Sequence, residues 1–241
     1  MKMEIYLKTW PEVETYLKTK KDLIVPVGST EQHGPTGLIG TDFLTAWEIA
    51  KAVGQKTETL VASPLCYGMA LHHLAFPGSA ALKPSTYLLV LKELVQSYAQ
   101  AGFDHFIFIN GHGGNTPTLQ ASFSEILQDN PRIRFQLFNW WHLSSVTEYE
   151  EKTFGDLNGF HATCGEISAT MHLFPEAYRT EKPFTYFQTQ ARKDWPLSPI
   201  RFREVFPDGR MESDPRLSTA AHGEVIFKRV VEEIAQKISK A

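Results

Sequence analysis

The sequence predicts an α/β fold built on a mostly parallel sheet with helices on both faces. Short runs rich in apolar, β-branched and aromatic residues recur at 22–27 (DLIVPV), 59–65 (TLVASPL), 105–109 (HFIFI) and 133–138 (IRFQLF), the composition of strands. The first and third are nearly continuous in apolar character, as in strands covered on both faces. Segments of helical length fill the intervals, and strands alternating with helices close into a parallel sheet. The 241 residues suit one large domain, and no repeat or linker divides the chain.

Taken in order, 43–53 reads as the first helix. In PSTYLLVLKELVQSYAQAGF, residues Leu88, Leu91, Val95, Tyr98 and Ala99 fall at three- and four-residue steps. Pro84 stands where a first turn tolerates proline and Gly102 where a helix stops, which bounds a helix over 84–101. A third helix follows over 116–129. The proline-rich region 183–215 reads as an irregular extension packed on the core or on another subunit. STAAHGEVIFKRVVEEIAQKI then forms a closing amphipathic helix with Ser218 as its cap.

Composition excludes several classes. Hydrophobic residues make up 42% and charged ones 21%, with a net charge of -3, so nothing favours nucleic acid or an anionic membrane. Two cysteines, Cys66 and Cys164, make no disulfide framework. The N-terminal stretch is too polar for a signal peptide. No apolar run reaches the ~18–20 residues of a membrane span, and a cytoplasmic protein is expected.

In parallel sheets, ligands gather at the carboxyl ends of the strands. The strand at 22–27 runs into GSTEQHGPTGLIGTD, which carries Glu31, His33 and Asp42. The strand at 105–109 runs into NGHGGN, which carries His112. Glu31 and His33, two apart, leave one face of an extended backbone. Carboxylate and imidazole suit zinc, manganese or iron, and Asp42 is placed to lie between two ions. Asn110 and Asn115 can hold the glycine turn through bonds to backbone. The same turn also suits a bare strand-to-helix connection with Asn115 as helix cap, or a phosphate cradle.

The segments GSTEQHGP…TD, HHLAFPGS, NGHGGN, HATCGEIS and SDPRLSTAAHGE follow in the order of the creatininase (creatinine amidohydrolase) family, which the chain resembles over nearly its whole length. The resemblance implies a three-layer αβα fold and a pair of divalent ions, zinc first with manganese or iron as alternatives, serving hydrolysis of cyclic or linear amide C–N bonds. It assigns Glu31, Asp42 and His112 to one ion and His33, Asp42 and Glu166 to the other. His161 becomes the group that contacts substrate and moves protons, and Glu166 joins it in the catalytic set. A small-molecule amide as partner and a ring-like homo-oligomer, often a hexamer, are also implied. This chain departs from the pattern at Thr36, Thr163 and Ile167. Gly114 stands where creatininase proper has a glutamate ligand, as in deformylases and peptide-trimming relatives.

On this reading Gly113 and Gly114 offer amide donors to a developing oxyanion, and His73, Trp140 and Trp141 line the substrate pocket. His105, His142, His172 and His222 take structural roles. Cys164, close to His161, lacks an orienting partner and is not a nucleophile. A non-catalytic metal-binding protein is the alternative from another class.

Overall fold

The computed structural model describes residues 2–180, 182, 184–189 and 195–240; position 183, where the irregular extension was expected to begin, lies outside them. Four strands, β1 (Asp22–Val27), β2 (Leu60–Val61), β3 (His105–Asn110) and β4 (Arg134–Asn139), form one sheet in the order β2-β1-β3-β4. Every pairing is parallel. Val27 lies opposite Asn110, which lies opposite Asn139, so three strands end level on one edge.

The helices are α1 (Trp10–Leu17), α2 (Thr41–Thr57), α3 (Pro84–Ala101), α4 (Asn115–Asp129), α5 (Ser144–Phe154), α6 (Cys164–Leu173), α7 (Pro199–Val205) and α8 (Ala220–Ser239). On one side of the sheet α2 packs along β1 and β3 and against α6 and α8. The opposite side carries α3 and α4, with Phe123 of α4 on Phe108 of β3. The three layers of an αβα fold result. All six residues of β3 are buried, as are the last five of β1, which explains their unbroken apolar pattern. No helix among the described residues is long and apolar enough to cross a membrane.

Several expected boundaries move. The strand expected over 59–65 shrinks to Leu60–Val61, with one further bridge between Val27 and Leu65; Pro64 has no N–H to give a ladder. The first helix begins at Thr41 rather than 43 and runs to Thr57. Ser218 does not cap α8. Thr219 does, its side chain accepting from the His222 amide, while the Ser218 hydroxyl donates to Cys164 O at 3.1 Å. The region 183–215 is not wholly irregular, because Ser198 caps α7 within it.

Candidate metal centre

The exits of β1 and β3 meet the start of α2 main chain to main chain. A Cβ on Gly28 would overlap the Phe43 amide, and one on Gly111 would overlap the Asp42 carbonyl. Glycine alone permits that approach. Asp42 therefore stands in the first turn of α2, not in the loop where the sequence places it.

The turn bearing His112 is locked by asparagines. Asn110 Nδ2 donates to His112 O at 2.7 Å, and the His112 amide donates to Asn110 Oδ1 at 3.1 Å. Asn115 does not cap α4. It spans loops instead, donating to Gly28 O at 3.0 Å and accepting from the Met69 amide at 2.9 Å. Gly114 is confined too, since a Cβ there would overlap His112 Nε2 and Met69 O.

These constraints bring five predicted ligands together. Glu31, Asp42 and His112 place ligand atoms within 4.8 Å of one another, as do His33, Asp42 and Glu166. A third group, Glu31, His73 and His161, meets the same limit. His33 Nε2 lies 2.9 Å from Asp42 Oδ1, and His112 Nδ1 lies 3.1 Å from Asp42 Oδ2 and 3.2 Å from Glu31 Oε2. Yet Glu31 Oε1, His33 Nε2 and Asp42 Oδ2 are buried without a hydrogen-bond partner. Buried polar atoms left in this way fit a cation, and the donor set suits zinc, manganese or iron.

The far side of each ring supports the fit. A ligating histidine donates its other N–H to an oxygen, which leaves the facing nitrogen bare. His33 Nδ1 donates to Glu31 O at 3.2 Å, and His112 Nε2 donates to Met69 O at 3.1 Å. Both therefore present an unprotonated nitrogen to Asp42 once a cation is bound. Glu31 is further fixed by the Ser29 hydroxyl, 2.6 Å from Oε2.

Electrostatics show how strongly the cluster is coupled before metal arrives. Burial opposes the Glu31 charge, but the imidazoles of His112 and His73 outweigh it and hold the carboxyl well below its usual range. Burial likewise opposes a His33 cation, yet Asp42, with Glu166 and Glu31, raises its pKa to about 9. Burial raises Glu166 above its usual value against the pull of His33.

Glu166 doubles as a helix cap. Its Oε2 accepts from the Thr163 amide at 2.9 Å and the Thr163 hydroxyl at 3.0 Å, while Thr163 Oγ1 accepts from the Glu166 amide. This capping box starts α6. Thr163 therefore has a definite task in orienting Glu166.

The centre opens into a cavity of about 1190 Å³ lined by His73, Gly113, Gly114, Trp141, His161 and Glu166 among others. Trp140 is a correction. It is 1% exposed, belongs to the apolar core and does not line the cavity. His142 does line it. His105 instead binds Asp22 at 2.9 Å, His222 receives the Tyr149 hydroxyl contact at 2.8 Å, and His172 packs on Phe227. Cys164 is inert: burial pushes its thiol up to about 12, and Sγ donates to Asp214 O and Leu157 O. Cys66 and Cys164 are both free.

Two polar residues of the site escape sequence reasoning. Gln32 sits between Glu31 and His33 and bridges His73, His161 and Gly209; its position inside GSTEQHGP is the only signal. Glu150 on α5 lines the cavity, held by Asn158 Nδ2 at 3.0 Å. Burial, aided by Glu166, raises its pKa to about 8. Nothing in TEYEEKTF marks it.

The chain is similar to known proteins along most of its length. The chain is 32% identical over 179 residues to the 3-dehydro-scyllo-inosose hydrolase of Thermotoga maritima, covering 72% of this chain and 57% of that enzyme. It is 28% identical to the mycofactocin precursor peptide peptidase of Mycolicibacterium smegmatis, covering 90% of this chain and 84% of the peptidase. A solved manganese form of creatininase superposes with a TM-score of 0.87 at 20% identity, over 100% of this chain and 98% of that one. The profile of the family described as creatininase, creatinine amidohydrolase, matches residues 7–238. That match spans the sheet and every segment that carries a candidate ligand, and the chain belongs to the creatininase family.

Proposed function

We propose that this protein is a metal-dependent hydrolase that cleaves an amide C–N bond. The observation that carries the reading is the pair of donor groups sharing Asp42, with Glu31 and His112 on one side and His33 and Glu166 on the other. Two divalent ions fit these groups, zinc first and manganese or iron as alternatives. When bound, such ions ionise a water and polarise a carbonyl.

The chain's own groups supply the rest. His161 stands at the cavity wall, and burial with His73 and His33 nearby holds it well below its usual pKa. It is therefore a neutral base at pH 7 that can accept a proton and pass it to a leaving nitrogen. Gly113 and Gly114 line the same wall and offer amides to a developing oxyanion. His73 contacts Glu31 rather than solvent, with Nε2 3.3 Å from Oε1. Trp141 supplies an apolar flank for the substrate.

A peptide-sized or formamide substrate is the second reading. It is favoured by the cavity of about 1190 Å³, larger than the roughly 300–1,000 Å³ of ordinary small-molecule sites. The near-complete coverage of the mycofactocin peptidase points the same way. We further read the protein as a cytoplasmic homo-oligomer, with a hexamer favoured. Trp10, 76% exposed, and Ile200, 72% exposed, suit contact with other copies, and light scattering of the purified protein tests the subunit number.

The decisive experiment is Asp42→Asn, assayed on lactams, formamides and short peptides beside elemental analysis. Loss of both metals and at least a ~10³-fold fall in turnover with an intact circular dichroism spectrum is expected. Full activity in that variant ends the reading. Two bound metals in the native protein with no turnover across the panel would make it a binding protein instead.

A further inference from the structure

The third donor group, Glu31, His73 and His161, differs from the other two in how its histidines are held. We propose that Gln32 is a positioning residue that sets the protons of both rings. It keeps the N–H of His73 turned toward Glu31, which bars that ring as a metal ligand, and it leaves Nδ1 of His161 without a hydrogen. The proposal rests on the reading that Glu31 and its neighbours hold divalent ions.

The argument is a count of hydrogens. Gly34 donates its amide N–H to Gln32 Oε1 at 2.8 Å, which orients the carboxamide. Its Nε2 carries two hydrogens and meets three groups: His73 Nδ1 at 2.8 Å, His161 Nε2 at 3.0 Å and Gly209 O at 3.0 Å. His161 Nε2 also lies 2.8 Å from the main-chain oxygen of Gln32, which can only accept. Were that nitrogen bare, two lone pairs would face each other, so His161 Nε2 bears the proton and donates. The two amide hydrogens of Gln32 then go to Gly209 O and to His73 Nδ1. A ring that accepts at Nδ1 carries its proton on Nε2, which lies 3.3 Å from Glu31 Oε1. His161 Nδ1 is left without a hydrogen, 3.7 Å from the same oxygen. This arrangement satisfies the Gln32 and Gly209 main-chain oxygens and His73 Nδ1, and leaves the 3.0 Å contact between Gln32 Nε2 and His161 Nε2 without a hydrogen bond.

The same count separates the three donor groups. With a cation bound, His33 and His112 would keep only the N–H groups they turn away from the carboxylates, toward Glu31 O and Met69 O, as ligands must. His73 turns its N–H toward Glu31, which closes that nitrogen to a cation. The third group is therefore not a third ion site. The network is built to last: Gly209, at φ +85°, presses on Gln32 so closely that a Cβ would overlap its Oε1. The rings of His73 and His161 stack at 4.3 Å.

The test reads tautomers directly. Zinc-loaded protein with ¹⁵N-labelled histidine is examined by long-range ¹H–¹⁵N NMR, with His73→Asn and His161→Asn supplying the assignments. Both rings are expected as single Nε2–H tautomers. Gln32→Glu keeps an acceptor for Gly34 but turns the donor into an acceptor, and it should switch His73 to the Nδ1–H form. Gln32→Met should leave His73 a mixture and lower kcat about 10–100-fold, the usual cost of losing such a support, with KM changed less than about threefold. A native His73 bearing its proton on Nδ1 overturns the proposal. So does an unchanged His73 pattern in Gln32→Glu. If neither variant folds, the native spectrum alone decides. Zinc content of the same sample judges the metal reading separately: Nε2–H tautomers in a protein that binds no zinc would sustain the proton assignment and refute the metal centre.

Discussion

Asp42 owes its position to the absence of a side chain elsewhere. Gly111 lies so close to the Asp42 carbonyl that a methyl group has no room. Gly111→Ala should cost about 3 kcal/mol through forced displacement of the α2 start, and zinc stoichiometry should fall with it. A thermal melt paired with elemental analysis checks both; native stability with full metal content would show that the loops can yield. The same scale shows what a sequence can disclose. Glu31, His33, Asp42 and His112 stand out as charged or imidazole groups among glycines next to strand ends. Gln32 does not, because its partners lie 41, 129 and 177 positions away and an uncharged amide advertises nothing. Trp140 misled for the opposite reason: it follows β4 as a pocket residue would, yet its ring points into the core.

Among the elements, β1 and β3 are tied at their starts as well as at their functional ends. Asp22 accepts from His105 at 2.9 Å across the first residues of the pair. That bond, ahead of burial, holds the Asp22 carboxyl below its ordinary 3.8. A depressed acid stabilises the fold above its unfolded pKa and loses that contribution as pH falls through the folded value. Asp22→Asn should thus lower stability by roughly 1 kcal/mol at pH 7, and the gap should close as the pH drops below 3.8. Urea titrations at both pH values decide it; a gap independent of pH would mean that the carboxyl charge is not the source. Here too legibility has a physical basis. The helix over 84–101 is bounded by proline and glycine and carries a clear stripe, so it reads directly. By contrast α6 buries six of its ten residues, Cys164, Gly165, Ile167, Ser168, Ala169 and Thr170, and a helix covered on most sides shows no stripe to read. The capping box at Thr163 and Glu166 was its one local signature, and the same carboxylate drew attention as a ligand.

Across the whole molecule, a cluster of buried carboxylates and imidazoles sits at the junction of β1, β3, α2 and α6, so a bound ion should act on global stability. An ion at 1,000 times its dissociation constant adds about 4 kcal/mol to the folded state, or roughly 8–16 °C in Tm for a chain of this length. Chelation should lower Tm by that order, and zinc should restore it. A Tm indifferent to both would show that the donors close on one another without metal. The direction with pH is also fixed. Asp42 beside it keeps His33 protonated, against burial, up to about pH 9 in the free protein. Zinc must therefore displace a proton on binding, and calorimetry at pH 7 in buffers of different ionisation enthalpy should detect that release. Constant heat across buffers would contradict it.

The backbone contacts at Gly28 and Gly111 have a last consequence. They fix the floor of the centre by main chain, while the walls of the large cavity are made by side chains from later segments, such as Trp141, Phe160, Tyr186 and Glu212. Floor and walls can thus change independently. Substitutions in the walls should therefore alter which molecules fit the cavity while the donor groups beneath keep their spacing.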